Sequence, residues 1–198
     1  MSDSATVGSG VPATQTRDVP TFASVELAGS NNVVIRAGVE QSVLVRADDN
    51  LVDRVTTEVR SGRLVIANTP GSFATKSPMS VEVCVPTLDA LLLTGNGNVV
   101  VEGLETESLE VTLPGSGMLA GSGSAASLDV TVSGSGNVQV TDLVANEVRA
   151  AVRGSGTIFV TATKSLDASV SGAGAIVYAG DPEEVTRSVT GAGAITAG

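Results

Sequence analysis

The fold of this chain is decided by VSGSGNV at residues 132–138, VRGSGTI at 152–158 and VSGAGAI at 170–176. In each heptapeptide an aliphatic residue stands two positions before the first glycine of a Gly-x-Gly triplet, and another stands two positions after its last glycine. The triplet recurs along the second half of the chain, and successive copies begin 18 to 20 residues apart. The first glycines of the triplets are Gly95, Gly115, Gly134, Gly154, Gly172 and Gly191. A fixed period of this length indicates a repeat architecture.

The residues around each triplet also recur in columns with apolar and polar positions alternating. The residues two before the triplet are Leu113, Val132, Val152, Val170 and Val189. Those four before it are Val111, Val130, Ala150, Ala168 and Arg187. Those four after its first glycine are Val99, Leu119, Val138, Ile158, Ile176 and Ile195.

Alternation of this kind is typical of β-strands with one buried face. A unit of about 19 residues cannot bury its own apolar face, so the units must stack on one another. The sequence therefore predicts an all-β fold, a parallel β-solenoid with coils of about 19 residues and Gly-x-Gly corners. We expect Val138, Ile158, Ile176, Val152 and Val170 to point into its core.

The glycines have two possible uses, a tight corner or a phosphate-binding loop. A nucleotide fingerprint needs a third glycine and a following helix. Gly154-Ser155-Gly156 runs instead into the β-type segment Thr157–Val160. We therefore interpret the triplets as corners, where positive φ or a close backbone approach requires glycine.

Three regions are predicted along the chain. Residues 1–20 are rich in Ser, Thr, Gly and Pro and are expected to form a flexible leader. Residues 21–94 contain short β-branched runs and form either irregular first coils or a β-subdomain of the solenoid. Residues 95–198 form the regular Gly-x-Gly repeats.

Charge and composition exclude several classes of function. The net charge is −10, and no Lys or Arg occurs between Ser77 and Val148, so a nucleic-acid partner or an anionic membrane surface is disfavoured. The chain has no histidine and one cysteine, Cys84, which excludes an internal disulfide and leaves a thiol or serine nucleophile without its usual base. We expect no catalytic residues, no metal site and no cofactor, and so a protein that is not an enzyme.

Two groups of charged residues are candidate sites. Asp129, Arg149 and Asp167 share one outward column, where a polysaccharide lyase would need Ca²⁺-binding carboxylates and a basic residue. Glu102, Glu105, Glu107 and Glu110 form an acidic cluster that could hold a divalent cation. We interpret both groups as solvated surfaces. The column of Asp129, Arg149 and Asp167 is mixed in charge, and the glutamate cluster lacks the Asp-rich nonapeptide of calcium-binding solenoids.

Ligand platforms are sparse. The aromatic residues are Phe22, Phe73, Phe159 and Tyr178, and none is an obvious sugar platform. An outward hydroxyl column, which is too irregular for ice binding, contains Thr112, Thr131, Ala151, Ser169 and Ser188.

The order and spacing of several motifs over residues 20–198 resemble the head GIN domain family. The motifs include GSGNV at 134–138, GAGAIVYAGDP at 172–182 and, in the first half, FASVEL at 22–27 and VPTL at 85–88. The family has no assigned function and is described as an auto-transporter adhesin. The resemblance implies a β-solenoid at the bacterial cell envelope, often exported or lipid-anchored, and carries over no catalytic residues.

Three functions remain open. We expect a non-enzymatic envelope protein, an adhesin or interaction scaffold with an unknown protein or surface partner. The alternatives are a polymer-forming cytoskeletal β-helix and, last, a polysaccharide-active enzyme.

No apolar run approaches the ~20 residues of a membrane span, and Met1 is followed by Ser2 and Asp3 rather than by a signal peptide. An extracellular or envelope location with the export signal removed is expected, and a cytoplasmic one is the alternative.

The last corner begins at Gly191, so the final coil is half built. A stacked sheet that ends in this way exposes unpaired backbone groups. We therefore expect a homo-oligomer joined through the C-terminal end of the solenoid.

Overall fold

The computed structural model describes residues 5–198, which form seventeen β-strands and one single-turn 3-10 helix at Val52–Arg54. The strands are β1 (Thr6–Val7), β2 (Pro12–Arg17), β3 (Ser24–Leu27), β4 (Asn32–Ala37), β5 (Ser42–Asp48), β6 (Val55–Arg60), β7 (Arg63–Asn68), β8 (Phe73–Ala74), β9 (Ser80–Val85), β10 (Ala90–Leu93), β11 (Asn98–Leu113), β12 (Met118–Val132), β13 (Asn137–Val152), β14 (Thr157–Gly172), β15 (Ala175–Ala179), β16 (Glu184–Gly191) and β17 (Ala194–Ala197). The predicted parallel β-solenoid is confirmed.

The coils build two stacked sheets that meet at the glycine corners. The pre-corner sheet contains, in stacking order, β6, β7, β3, β10, the C-terminal halves of β11 to β14, and β16. The post-corner sheet contains β2, β5, β9, β4, the N-terminal halves of β11 to β14, β15 and β17. Each of β11 to β14 crosses from the post-corner to the pre-corner sheet through a register shift with one or both of its neighbours.

The columns of the sequence are the registers of the structure. Val138 pairs with Ile158, which pairs with Ile176, and Val152 pairs with Val170. All five residues are at most 1% exposed, as predicted. One continuous cluster of Val, Leu and Ile runs through the stack, because like residues lie above like at the strand spacing.

The corner glycines are required by close packing of successive coils rather than by backbone angle. A Cβ on Gly156 would lie 2.2 Å from the carbonyl oxygen of Gly136 and 2.6 Å from Cγ1 of Val132. Among the twelve glycines of the six triplets, a positive φ occurs at Gly191 alone. The middle residues Ser135 and Ser155 are exposed.

The first coils do not stack in chain order. β3 and β4 form a coil next to β10 and β11, whereas β7 and β9, which come later in the sequence, form the next coil outward. Gly29 lies under Gly95 at the corner, and Asn68 takes the equivalent position one coil further out. The amides of Asn31 and Asn68 bond each other reciprocally at 3.1 Å in both directions.

The N-terminal end of the stack is closed by antiparallel strand pairs. β5 pairs antiparallel with β9, β6 with β7, and β2 with β5. The hairpin between β6 and β7 turns at Ser61 and Gly62, both with positive φ. Reversal of direction ends the parallel repeat at this end.

Residues 6–7 and 12–17 differ from the predicted flexible leader, because they form β1 and β2, while residues 1–4 lie outside the described residues. β2 alternates half-buried and exposed residues and pairs over six positions with β5. The composition of residues 12–17 is typical of a tether. Their strand structure depends on pairing with β5, about 30 residues further along the chain, which composition does not reveal.

The segment between β1 and β2 is held by the buried carboxylate of Asp48. Its Oδ1 accepts hydrogen bonds from the backbone N–H groups of Gly10 (3.0 Å) and Ser77 (3.1 Å), and its Oδ2 accepts from that of Lys76 (2.8 Å). The bond from Lys76, followed by those from Ser77 and Gly10, lowers the pKa of Asp48 below its ordinary value. Asp48 thus joins three separate segments of the N-terminal cap.

Replacement of Ile158 by Ala is predicted to lower the free energy of unfolding by about 2–5 kcal/mol, because it opens a cavity between Val138 and Ile176. Urea denaturation measures the change. Val144, which is 44% exposed, is the control, and its replacement by Ala is expected to leave stability within about 0.5 kcal/mol. Equal effects at both positions would contradict the packing.

Gly156→Ala is predicted to destabilise the protein by at least about 1 kcal/mol, since the new methyl group meets the Gly136 carbonyl of the preceding coil. Ser155→Ala, at the adjacent exposed position, is expected to have little effect. Thermal unfolding of the two variants compares them directly. A Gly156→Ala protein as stable as Ser155→Ala would mean that the coils do not approach so closely.

Asp48→Asn is predicted to destabilise the N-terminal cap at neutral pH, because whichever way the amide turns it presents a donor to backbone N–H groups. The folded pKa of Asp48 is lowered, so its stabilisation is present above the unfolded pKa of about 3.9 and is lost as the pH falls through the folded value. Urea midpoints from pH 7 down to pH 2.5 should therefore converge between the two proteins at the acid end. Asp49→Asn, at an exposed neighbour, is the control, and a constant difference across this range would refute the assignment.

Candidate interaction surfaces

The charged residues of the pre-corner sheet form an exposed row. Arg149 lies between Asp129 and Asp167, with Nη1 and Nε each 3.9 Å from a carboxylate oxygen. The three side chains are 71%, 44% and 59% exposed. They line a depression of about 160 Å³. Ion pairs with this exposure contribute little to the free energy of unfolding. The carboxylates of Asp129 and Asp167 are themselves exposed, so neither is a buried general base.

The four glutamates of the acidic cluster are not brought together. Glu102 pairs with Arg36 at 3.3 Å, and this hydrogen bond is the main cause of a raised pKa of Arg36. Glu105 lies beyond the register shift of β11, and Glu110 lies in the pre-corner sheet. Among residues 5–198 there is no group of three Asp, Glu, Cys or His side chains that could hold a metal ion.

Cys84 and the aromatic residues take ordinary structural places. Cys84 is a half-buried outward residue of β9, in register with Arg36. Phe22 is 4% exposed and Tyr178 is 6% exposed, so neither ring is available as a platform. Phe159 is half-buried on the outer side of the post-corner sheet, between Gln139 and Val177 in the stack. The hydroxyl column around Ala151 forms one outward row of the pre-corner sheet.

A second surface, which the sequence analysis did not single out, carries no charge. It consists of ten outward residues in the post-corner parts of β12, β13, β14, β15 and β17, and we call it the uncharged face. Its members are Met118, Ala120, Asn137, Gln139, Thr157, Phe159, Ala175, Val177, Ala194 and Thr196. The alternation seen in the sequence could have identified it, since these residues are the polar-column positions of the second strand in each repeat.

The uncharged face contains a depression of about 280 Å³, which extends to the coil above. It is lined in part by Val100, Ala120, Gly121 and Gln139, and also by the charged residues Glu102 and Asp142, which do not belong to the uncharged face. The small side chain of Ala120 lies in register between the larger residues Val100 and Gln139 of the two flanking coils. Exposed apolar surface borders it, because Met118 is 41% and Val100 is 38% exposed.

The C-terminal end of the stack differs from the N-terminal end. β16 pairs with β14 and β17 pairs with β15, each along one edge, and no other strand of the described chain covers them. All eight residues of β16 are exposed. No helix in the described part of the protein has the length and apolar character needed to cross a bilayer.

Comparison with solved structures supports the fold. A crystal structure described as a "putative adhesin" from Bacteroides fragilis matches with a TM-score of 0.80 and 24% identity, covering 96% of this chain and 99% of that one. Another so described, from Parabacteroides distasonis, has a TM-score of 0.62 and 22% identity, covering 98% and 100%. A "putative lipid binding protein" from the same species has a TM-score of 0.62 and 21% identity, with the same coverage. At these identities the likeness is one of fold. No curated protein matches the chain.

The sequence profile described as "Putative auto-transporter adhesin, head GIN domain" matches residues 21–182. This range takes in the non-sequential first coils and most of the regular repeats, and it confirms the resemblance found in the motifs. The chain therefore belongs to the head GIN domain family.

Proposed function

We propose that this protein is a non-enzymatic interaction protein of the bacterial cell envelope, an adhesin or interaction scaffold, and that its contact surface is the uncharged face. The observation that carries the proposal is the charge distribution. The chain has a net charge of −10, yet ten outward residues over five strands of one sheet include no charged side chain. The adhesin description of the family and of similar structures supports this interpretation.

An uncharged face is suited to contact because little has to be desolvated when it is covered. Burying an ionised group without a partner is expensive, whereas amide, hydroxyl and aliphatic groups are covered at small cost. The cores of protein interfaces are depleted of charge for this reason. The acidic remainder of the surface disfavours unspecific association by like-charge repulsion.

The two alternative functions find less support. A polysaccharide lyase would need a base in a groove, and the row of Asp129, Arg149 and Asp167 is open to solvent. A head-to-tail polymer would need both ends to continue the same parallel stack. The antiparallel strands β5 and β6 interrupt that stack at the N-terminal end.

The proposal is tested by adding charge to the uncharged face. The labelled protein is applied to immobilised extracellular-matrix proteins, neutral polysaccharides and phosphatidylcholine vesicles, and its retention is measured at low and high salt. We expect binding to at least one of these surfaces with little dependence on salt, because the contact lacks ion pairs. The double variant Ala120→Glu with Gln139→Glu should weaken that binding at least about tenfold, since both carboxylates would be desolvated.

The matched control is Ala151→Glu with Ser169→Glu, which adds the same charge to the pre-corner sheet and should keep full binding. Equal losses in both double variants would assign the effect to net charge and refute the face. Failure of the protein to bind any of the surfaces would refute the function. Release of new reducing ends from a polysaccharide incubated with Ca²⁺ would favour the enzyme.

A further inference from the structure

The C-terminal end of the solenoid exposes the outer edge of a parallel sheet. β16 is bonded to β14 over eight positions from Ser165 to Gly172, and its other edge has no partner within residues 5–198. Two of its apolar residues are unusually open, since Val185 is 38% and Val189 is 46% exposed. A free edge of this kind binds an added strand through main-chain hydrogen bonds.

The core position between these two valines is occupied by an arginine. In the preceding coils the same column contains Val111, Val130, Ala150 and Ala168, and in β16 it contains Arg187, in register with Ala168. The guanidinium lies over the ring of Tyr178, 5.1 Å from its centroid, and donates a hydrogen bond to the Tyr178 hydroxyl. Arg187 thus places a positive charge over the end of an apolar core.

This charge determines what can cover the edge. A strand laid against β16 would place one inward side chain opposite Val185, one opposite Arg187 and one opposite Val189. An apolar residue opposite Arg187 would bury an unpaired cation, which is costly, while a carboxylate would form a partly desolvated ion pair. A second copy of β16 laid antiparallel in full register would place Arg187 against Arg187, which charge repulsion opposes.

We propose that the free edge of β16 is a binding site for an extended segment of a partner protein with the pattern apolar-x-acidic-x-apolar. The acidic side chain pairs with Arg187 and the two apolar side chains cover Val185 and Val189. The pattern reads the same in both directions, so the site accepts it in a parallel or an antiparallel strand. This inference is independent of the uncharged face, which lies on the other sheet.

The test uses two blocked peptides, Ser-Ser-Val-Thr-Glu-Thr-Val-Ser-Ser and its counterpart with Gln in place of Glu. Binding to the 198-residue protein is followed by fluorescence anisotropy. We expect the Glu peptide to bind about tenfold or more tightly than the Gln peptide, as a charge-assisted pair would give. Arg187→Gln should abolish this preference while the protein stays folded and unfolds cooperatively, with the thermal midpoint lowered by no more than the loss of the contact with Tyr178.

Arg153→Gln, at another exposed arginine near a corner, is the control and should retain the preference. Equal affinity for the two peptides, or no measurable binding of either, would overturn the proposal. Sedimentation equilibrium gives the remaining outcome. A dimer that dissociates when Val189→Lys blocks the edge, and that excludes both peptides, would identify a second copy as the occupant and would also overturn it.

Discussion

The structure depends on the approach of each corner glycine to a carbonyl oxygen in the coil beneath. A Cβ on Gly95 would lie 2.1 Å from the carbonyl oxygen of Gly29, and one on Gly134 would lie 2.1 Å from that of Gly115. No side chain fits such a space, so strands can keep their pairing distance through the corner only where glycine is present. Because each corner fixes the one above it, the columns on both sides stay in register. The continuous core of small aliphatic residues follows from that register.

The regular coils could be predicted from the sequence because each is a local unit, with strand, corner and strand within about 19 residues. The first coils could not, because their neighbours in space are not their neighbours in the sequence. Gly29 marks a corner, but Asn31 stands where the regular coils have their second glycine, and the segment 69–79, which contains β8, takes the place of the next corner. The position of β2 is equally non-local, since nothing within residues 12–17 indicates their partner in β5.

The candidate surfaces show a similar division. The ten outward positions of the uncharged face alternate with buried positions in the sequence, so the absence of charge among them could have been recognised before the fold was known. The exposure of these residues could not be predicted in the same way. It depends on the register shifts within the long strands, which determine the neighbours of each outward residue. Ala120 lies at the depression because it is in register with Val100 of β11 on one side and with Gln139 of β13 on the other. The sequence places Arg187 in the column of Val111 and Val130. Its stacking on Tyr178 at the end of the core could not be predicted, because it depends on the fold.

A repeating solenoid acquires specific functions where the repeat changes. On the sides of the solenoid, a substitution in one coil changes one position of a strand that is paired on both edges, so the backbone stays in place. At the ends a change has a different effect, because the last coil has a neighbour on one side only. The antiparallel strands at the N-terminal end satisfy the stack from within the chain, with Asp48 joining the segments that close it. At the C-terminal end no strand of residues 5–198 covers β16, and a charged side chain, Arg187, occupies its core column. Val185, Arg187 and Val189 therefore present the core's own pattern with one position altered, and a covering strand must match that alteration.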